Sequence, residues 1–429
     1  MTFKEQLPTE WQANWDKMGY DEASLIQKEL FAPLQAGESM VGVSPTGSGK
    51  TLAYLWPLLT KIKSGEGNQL LILLPSQELA VQVANVTKEW AGLIGLKSES
   101  LIGGANVKRQ VEKLKNKPEI LVGTPGRIWE LIKIKKVKAH LLNTLVLDEV
   151  DQLVEVSELN ATNHIMKAVD KQIQLVAVSA TAVDIDQKLS QLGKSDLKIL
   201  DVTNEDQSAG EVTHGFFRVQ PRKRVELLRK LSNVDGFKGI IFFNEVQEMG
   251  FVADKLAFNG VPNVTLASDQ NKMERKMALS AFAENKVNLL LTTDLGARGL
   301  DFDALPYVIH YDVPYRLENY VHRSGRTGRM GQDGMVLSMV SDFELVELKK
   351  LVRQKDWDVT EMIAHSQKIL PLVEAGHLEK ETTDKPVTKK TGKPQTTDPL
   401  FKSEHIVVKK KKAKIKDKKK KSKKVKKKK

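Results

Sequence analysis

Residues 44–51 read Ser-Pro-Thr-Gly-Ser-Gly-Lys-Thr, a loop of small residues ending in a cation and a hydroxyl. Such a loop presents backbone N–H groups to an anion when it opens a helix. The flanks suit that role, since residues 40–43 are strand-like and residues 52–59 are helix-like. Gly47 and Gly49 let the backbone approach closely, with Thr46 and Ser48 in the same cradle. Lys50 would neutralise the outer phosphates of a nucleotide and Thr51 would hold Mg²⁺. Ser44 stands where the general pattern carries glycine, and a chance Gly-Lys-Thr turn is the plain alternative.

Asp148-Glu149-Val150-Asp151 directly follows the apolar run 145–147. Acids emerging at the carboxyl end of a buried strand lie where open α/β sheets bind ligands. There Asp148 would reach Mg²⁺ through its water shell, and Glu149 would polarise an attacking water. Taken alone, the same residues also fit a solvated helix start, because Asp is a good cap. A third block, residues 322–329, reads His-Arg-Ser-Gly-Arg-Thr-Gly-Arg. Arg326 lies 276 residues beyond Lys50, more than one typical domain length. Arg326 and Arg329 would complete a phosphate site from a second domain, where an arginine finger is worth roughly 10³–10⁵ in rate. A surface arginine patch is the alternative, but Gly325 and Gly328 suit a tight backbone path better.

The elements that must position these blocks are legible as alternation. Apolar runs at 70–74, 120–122, 145–147 and 175–178 alternate with helix-like stretches up to about residue 202. That pattern predicts a parallel sheet covered by helices on both faces. Residues 204–213 are polar and aperiodic, as a linker would be. Strand-like runs resume at 239–243, 264–267, 288–292, 307–310 and 335–340, and Glu344, Leu345, Leu348, Leu351 and Val352 mark a closing amphipathic helix. The expected division is an ATP-binding α/β domain over 1–203, the linker 204–213 and a second α/β domain over 214–355. An extension would follow over 356–400, partly disordered because residues 381–399 are rich in Thr, Lys and Pro, and a lysine-rich tail over 401–429.

The chain has 429 residues and a formal charge of +13. Between 402 and 429, 17 lysines face only Glu404 and Asp417, so the other residues sum to about −2. Such a block cannot bury enough apolar surface to fold and is expected to stay disordered. It reads either as a solubilising tail or as an electrostatic tether for a polyanion. No apolar stretch is long enough to span a bilayer, and residues 1–5 lack the plan of a secretory signal. With no cysteine, disulfides and cysteine-ligated zinc are excluded. A cytoplasmic location is the expectation.

With these blocks in this order, the chain resembles the DEAD-box RNA helicases of superfamily 2 over roughly residues 3–355. Residues 19–27, with Gln27, Tyr20 and the upstream Phe3, look like the adenine-reading Q motif. Pro75 with residues 76–80, Gly103-Gly104, and Thr124-Pro125-Gly126-Arg127 correspond to RNA-gripping segments. Ser179-Ala180-Thr181 resembles the tripeptide that couples hydrolysis to strand separation, and the resemblance implies a coupling role for Asp151 and His322 as well. In the second half Phe242-Phe243-Asn244, Arg275, Thr292-Thr293-Asp294 and Arg298-Gly299-Leu300-Asp301 match the remaining motifs. The resemblance implies RNA contact by Arg275, Thr292 and Arg298, and nucleotide contact by Asp301. Departures are Val150 for the usual Ala, Gln77 for Arg, Lys272 for Gln, and Ala267-Ser268 for His-Gly.

The resemblance further implies two tandem RecA-like domains and the use of ATP and Mg²⁺. A monomer would grip RNA generically, through its backbone and 2′-hydroxyls, and separate short duplexes locally. Ribosome assembly or RNA turnover is the expected setting. A non-unwinding, ATP-gated RNA clamp or ribonucleoprotein scaffold is the alternative.

Overall fold

The computed structural model describes residues 2–373 apart from 155, 195–196, 206–209, 268–269, 298–304 and 329–331. The candidates Arg298, Asp301 and Arg329, most of the expected extension and the lysine-rich segment lie outside the described residues.

Seven short strands build the first sheet: β1 (Met40–Val43), β2 (Leu70–Leu73), β3 (Ser98–Leu101), β4 (Ile120–Gly123), β5 (Thr144–Asp148), β6 (Gln174–Ser179) and β7 (Lys198–Asp201). All pair in parallel, in the order β3-β4-β2-β5-β6-β1-β7. The central strands are buried at every position because both faces are covered. Alternation decides which face each residue serves. Leu70 and Ile72 pack under helices Leu25–Ala36, Lys50–Leu59 and Gln77–Leu93, whereas Leu71 and Leu73 pack under Pro125–Lys133 and Ile185–Gln191. Register sets Val43 opposite Ser179 and Asp148 opposite Val178. The phosphate loop, the acid block and Ser179 therefore leave the sheet side by side at its carboxyl edge.

The second sheet contains β8 (Val212–Arg218), β9 (Gly239–Phe243), β10 (Val264–Leu266), β11 (Leu289–Thr293), β12 (Tyr307–His310), β13 (Gly334–Val340), β14 (Thr360–His365) and β15 (Lys368–Pro371), in the order β10-β11-β9-β12-β13-β8-β14-β15. Only β15 runs antiparallel, to β14. This sheet starts inside the expected linker and does not stop at residue 355. Strand β14 joins it with Thr360 opposite Gly215. A side chain at 215 would bring its Cβ within 2.7 Å of Met362, so glycine there permits the added strand. The predicted closing helix is Asp342–Val352, with a capping box between Ser341 and Glu344.

Among the described residues, no helix is long and apolar enough to cross a membrane. The core of the second half holds an aromatic stack with a titratable member. His214 lies 4.5 Å from the Trp357 ring, centroid to centroid, and its Nδ1 is 2.9 Å from the Tyr320 hydroxyl. Burial pulls the His214 imidazole down to about 4. A histidine held neutral in the fold but free to protonate when unfolded stabilises fully above its ordinary pKa of about 6.5. That contribution is lost as pH falls from there toward 4. The loss should approach about 3 kcal/mol at 1.36 kcal/mol per unit. Urea midpoints measured across this pH range should show it, and His214→Phe should flatten the dependence. An equally steep pH dependence in the variant would remove His214 from that role.

Candidate nucleotide and RNA site

The phosphate loop is built by its own small residues. Gly49, at φ 84°, caps the helix that begins at Lys50, and Gly47 sits at φ 90°. Both conformations favour glycine. The fully buried Ser44 shares a 2.7 Å hydrogen bond with the Ser48 hydroxyl, so serine in place of glycine pins the loop. Lys50 Nζ donates to the Ser44 and Pro45 carbonyls, at 2.7 Å each, which holds the ammonium within the loop. The loop is also gripped from outside. Ser24 Oγ donates to the Ser48 carbonyl at 2.6 Å, and Gln27 Nε2 to that of Gly49 at 3.3 Å. Gln27 Oε1 meanwhile accepts from Ser24 N–H in a capping box. Phe3 packs in an aromatic cluster with Trp15, Phe31 and Trp56, and Tyr20 meets Trp15 edge-on. The proposed adenine reader and the phosphate cradle are thus one connected unit.

Asp148 ends β5 in a buried setting. Burial and the neighbouring Glu149 push its carboxyl up to about 6, against the pull of Tyr54 and Lys50. The wholly buried Tyr54 donates its hydroxyl proton to Asp148 Oδ2 at 2.8 Å. Tyr54 therefore fixes Asp148, one of the two residues expected to hold Mg²⁺. A carboxylate desolvated in this way gains from a cation beside it, so Thr51 and Asp148 fit that ion. Among the described residues no cluster of three or more His, Asp or Glu could hold a metal. Mg²⁺ shared between one or two carboxylates and substrate phosphates needs none. Glu149 adopts a left-handed conformation, φ 51° and ψ 54°. That geometry costs a non-glycine residue roughly 1–2 kcal/mol, and it turns the chain sharply from strand to helix.

A polar chain crosses from the first sheet's edge to the second domain. Ser179 Oγ accepts from Thr181 N–H at 3.2 Å and donates to Asp151 Oδ1 at 3.1 Å. Asp151 Oδ2 lies 3.2 Å from His322 Nε2. Gln152 Nε2 donates to Glu149 Oε2 at 2.7 Å and faces His322 Nδ1 at 3.5 Å. The four expected coupling residues, Asp151, Ser179, Thr181 and His322, are thus brought together, and Gln152 extends their chain to Glu149. The expected halves also meet directly. Gly325 abuts the phosphate loop so closely that a Cβ there would lie 2.5 Å from Thr46 Oγ1. Arg326 lines the adjoining cleft with Asp151, Gln152 and His322. Lys188 Nζ pairs with Glu318 at 3.2 Å, both buried, and Arg275 pairs with Glu78 at 3.4 Å across the same junction.

The expected RNA contacts divide by burial. Gly104 is exposed and Gly103 half-buried, with Gln77 packed against both. Pro75, Thr124, Pro125, Arg127 and Thr292 are buried. Arg127 turns inward, donating to the Ala105 carbonyl at 3.1 Å and to Gln110 Oε1 at 2.6 Å, with Glu130 2.9 Å away. Thr292 Oγ1 donates to the Leu266 carbonyl at 3.0 Å. Arg275 donates to the Ala267 and Gly296 carbonyls at 3.3 and 3.2 Å. These side chains shape the segments that would face RNA.

Comparison with known proteins decides the family. Residues 24–188 match the family described as DEAD/DEAH box helicase, and residues 223–331 match the helicase conserved C-terminal domain. The Bacillus subtilis (strain 168) protein described as "Probable ATP-dependent RNA helicase YfmL" is 41% identical over 357 residues, covering 82% of this chain and 94% of that one. The DEAD-box ATP-dependent RNA helicase CshC of Bacillus cereus is 36% identical, covering 80% and 88%. The chain belongs to the DEAD-box ATP-dependent RNA helicases. Its fold matches S. cerevisiae Dbp5 bound to RNA and ADP BeF3, with a TM-score of 0.76 over 89% of this chain and 98% of that one, at 24% identity. Mss116p bound to ssRNA and AMP-PNP gives 0.71 over 84% and 78%. The two parallel-sheet units are therefore RecA-like domains.

Departures from the DEAD-box pattern take physical form. Val150, replacing Ala, is fully buried among Leu147, Leu153 and Ile185, so the larger side chain fills core space and leaves the acids in place. Gln77 is exposed and lies against the Gly103-Gly104 turn. Sequence reasoning missed Tyr54, Gln152 and Ser24. Gln152 carried a signal, since i and i+3 share a helix face, as did the Ser24-to-Gln27 spacing of a capping box. Tyr54 carried none, because its partner lies 94 residues away.

Proposed function

We propose that this DEAD-box helicase binds ATP between its two RecA-like domains, closes on a single RNA strand, and reopens on hydrolysis. The observation that carries this reading is the approach of Gly325 to Thr46, which sets the arginine block against the phosphate loop. In this reading Lys50 and the loop amides hold the phosphates, and Thr51 and Asp148 hold Mg²⁺, which would supply charge neutralisation there. Glu149 orients the attacking water, while Arg326, with Arg329, stabilises charge on the transferring group. Phe3, Tyr20 and Gln27 frame the base, and Asp301 adds a nucleotide contact. The chain from Thr181 through Asp151 and His322 reports the state of the phosphate to the domain junction. Closure bends the RNA held along Pro75, Gly103, Gly104, Thr124, Pro125 and Arg127 in one domain and Arg275, Thr292 and Arg298 in the other. A partner strand is displaced over a few base pairs. ATP and RNA favour closure because each makes more contacts in the closed state.

The setting we propose is ribosome assembly or RNA turnover in the cytoplasm, with the protein acting as a monomer. The test is ultraviolet crosslinking of RNA to the protein in cells. Enrichment of ribosomal precursors supports assembly, enrichment of mRNA supports turnover, and absence of RNA enrichment would overturn both. Release of a short duplex strand in vitro separates helicase action from a clamp that only sets RNA residence time. The lysine-rich segment serves as a tether. Removing residues 402–429 should weaken RNA binding and flatten its salt dependence by about 0.7 per phosphate no longer neutralised. An unchanged slope would count against the tether.

A further inference from the structure

The second RecA-like domain carries a basic groove that the nucleotide site does not use. It lies between helices Arg224–Leu231 and Val246–Phe258, and Arg222, Lys223, Arg229, Lys255 and Asn259 line it. Glu226 is the one carboxylate among its described lining residues, 2.9 Å from Lys223 and 3.9 Å from Lys230. Four cations against one anion leave the groove positive.

Two aromatic side chains outside the groove's lining share a helix stripe with Lys255, which lines it. Phe251 is 66% exposed and Phe258 91% exposed. Their spacing puts both on one stripe of the helix, about 10 Å apart along its axis. Lys255 lies between them, its Nζ 5.8 Å from the Phe251 ring centroid. Singly exposed apolar side chains are ordinary. A pair of phenyl faces beside a row of cations is different, because it offers bases a stacking surface and phosphates a positive track.

We propose that this groove is a second RNA site, holding single-stranded RNA beyond the segment gripped between the domains. It rests on the RNA-helicase reading and adds a surface to it. Charge complementarity selects RNA phosphate as the occupant, and the exposed rings favour a strand with unpaired bases over a duplex.

The test compares a short RNA of about eight nucleotides, filling the interdomain channel alone, with one of about thirty. The full-length triple variant Arg222→Glu, Arg229→Glu, Lys255→Glu should bind the long RNA about tenfold more weakly, with a salt slope shallower by about 2. Phe251→Ala should also weaken the long RNA about tenfold through lost stacking. Affinity for the short RNA, and ATP turnover stimulated by it, should stay within about twofold, since none of these residues lies in the nucleotide site. Unchanged binding of the long RNA would overturn the proposal. Equal losses for both RNAs would do so too, by assigning these residues to the channel. So would loss of poly-glutamate binding with RNA unaffected, which would make the occupant an acidic peptide. Failure of the short RNA to stimulate the wild type would strike the helicase reading, and the groove with it.

Discussion

Substituting Glu149→Gln should slow ATP turnover about 10³-fold while leaving ATP and RNA binding within about threefold. The amide keeps the length of the carboxylate, and its oxygen can still accept from Gln152 Nε2, which now reaches Oε2 at 2.7 Å. The left-handed turn that places residue 149 is a backbone property and should survive. What is lost is the charge that orients and polarises water, worth about 4 kcal/mol of barrier at that rate loss. Because hydrolysis reopens the clamp, the variant should accumulate as a long-lived complex with ATP and RNA. Phosphate release and RNA dissociation, measured on one preparation, check both halves. Turnover within tenfold of wild type would take Glu149 out of its assigned role.

How far the sequence carried this site can be read from particular residues. The phosphate loop and the acid block were visible because their chemistry is local: a turn, a helix start, a strand end. Strand β2 was marked by an apolar run bounded by Pro75, and the observed strand, Leu70–Leu73, differs by one residue. The hairpin of β14 and β15 was not visible. Its turn is made by Ser366 and Gln367 at φ 49° and 61°, conformations that Asn-Gly or Gly usually signals. Its place beside β8 depends on Gly215, about 145 residues earlier in the chain. The inward turn of Arg127 was equally hidden. An arginine in a motif reads as a phosphate ligand, and only the fold reveals the Ala105 carbonyl and Gln110 waiting for it.

The arginine block shows the same limit most sharply, because two arginines three positions apart should fail in opposite ways. Arg323 is 1% exposed and bidentate to Asp294, at 2.6 and 2.8 Å. It also donates to the Asp312 carbonyl at 2.9 Å and to Asn244 Oδ1 at 2.8 Å, with its guanidinium 5.2 Å from the Phe242 ring. It thereby ties together the carboxyl ends of β9, β11 and β12. Arg323→Ala would weaken the hold on the partly exposed Asp294, which keeps Asn319 as a donor, and would strip Asn244 Oδ1 and the Asp312 carbonyl of theirs, a change that costs about 3 kcal/mol. Amide hydrogen exchange in those strands should quicken by at least a hundredfold where it proceeds through unfolding of that domain. Arg323→Lys should rescue poorly, since an ammonium cannot reproduce the paired fork. Arg326 lines the cleft with Asp151 and His322, a cleft that Arg323 also borders, but it is half-buried where Arg323 is fully buried. Arg326→Ala should leave that exchange within about threefold but lower RNA-stimulated turnover 10³-fold or more, within the range of roughly 10³–10⁵ for an arginine finger. If both variants lost rate and fold together, the division between a tie and a finger would be untenable. If Arg326→Ala kept near-normal turnover, closure of the two domains around one triphosphate would lose its chemical purpose.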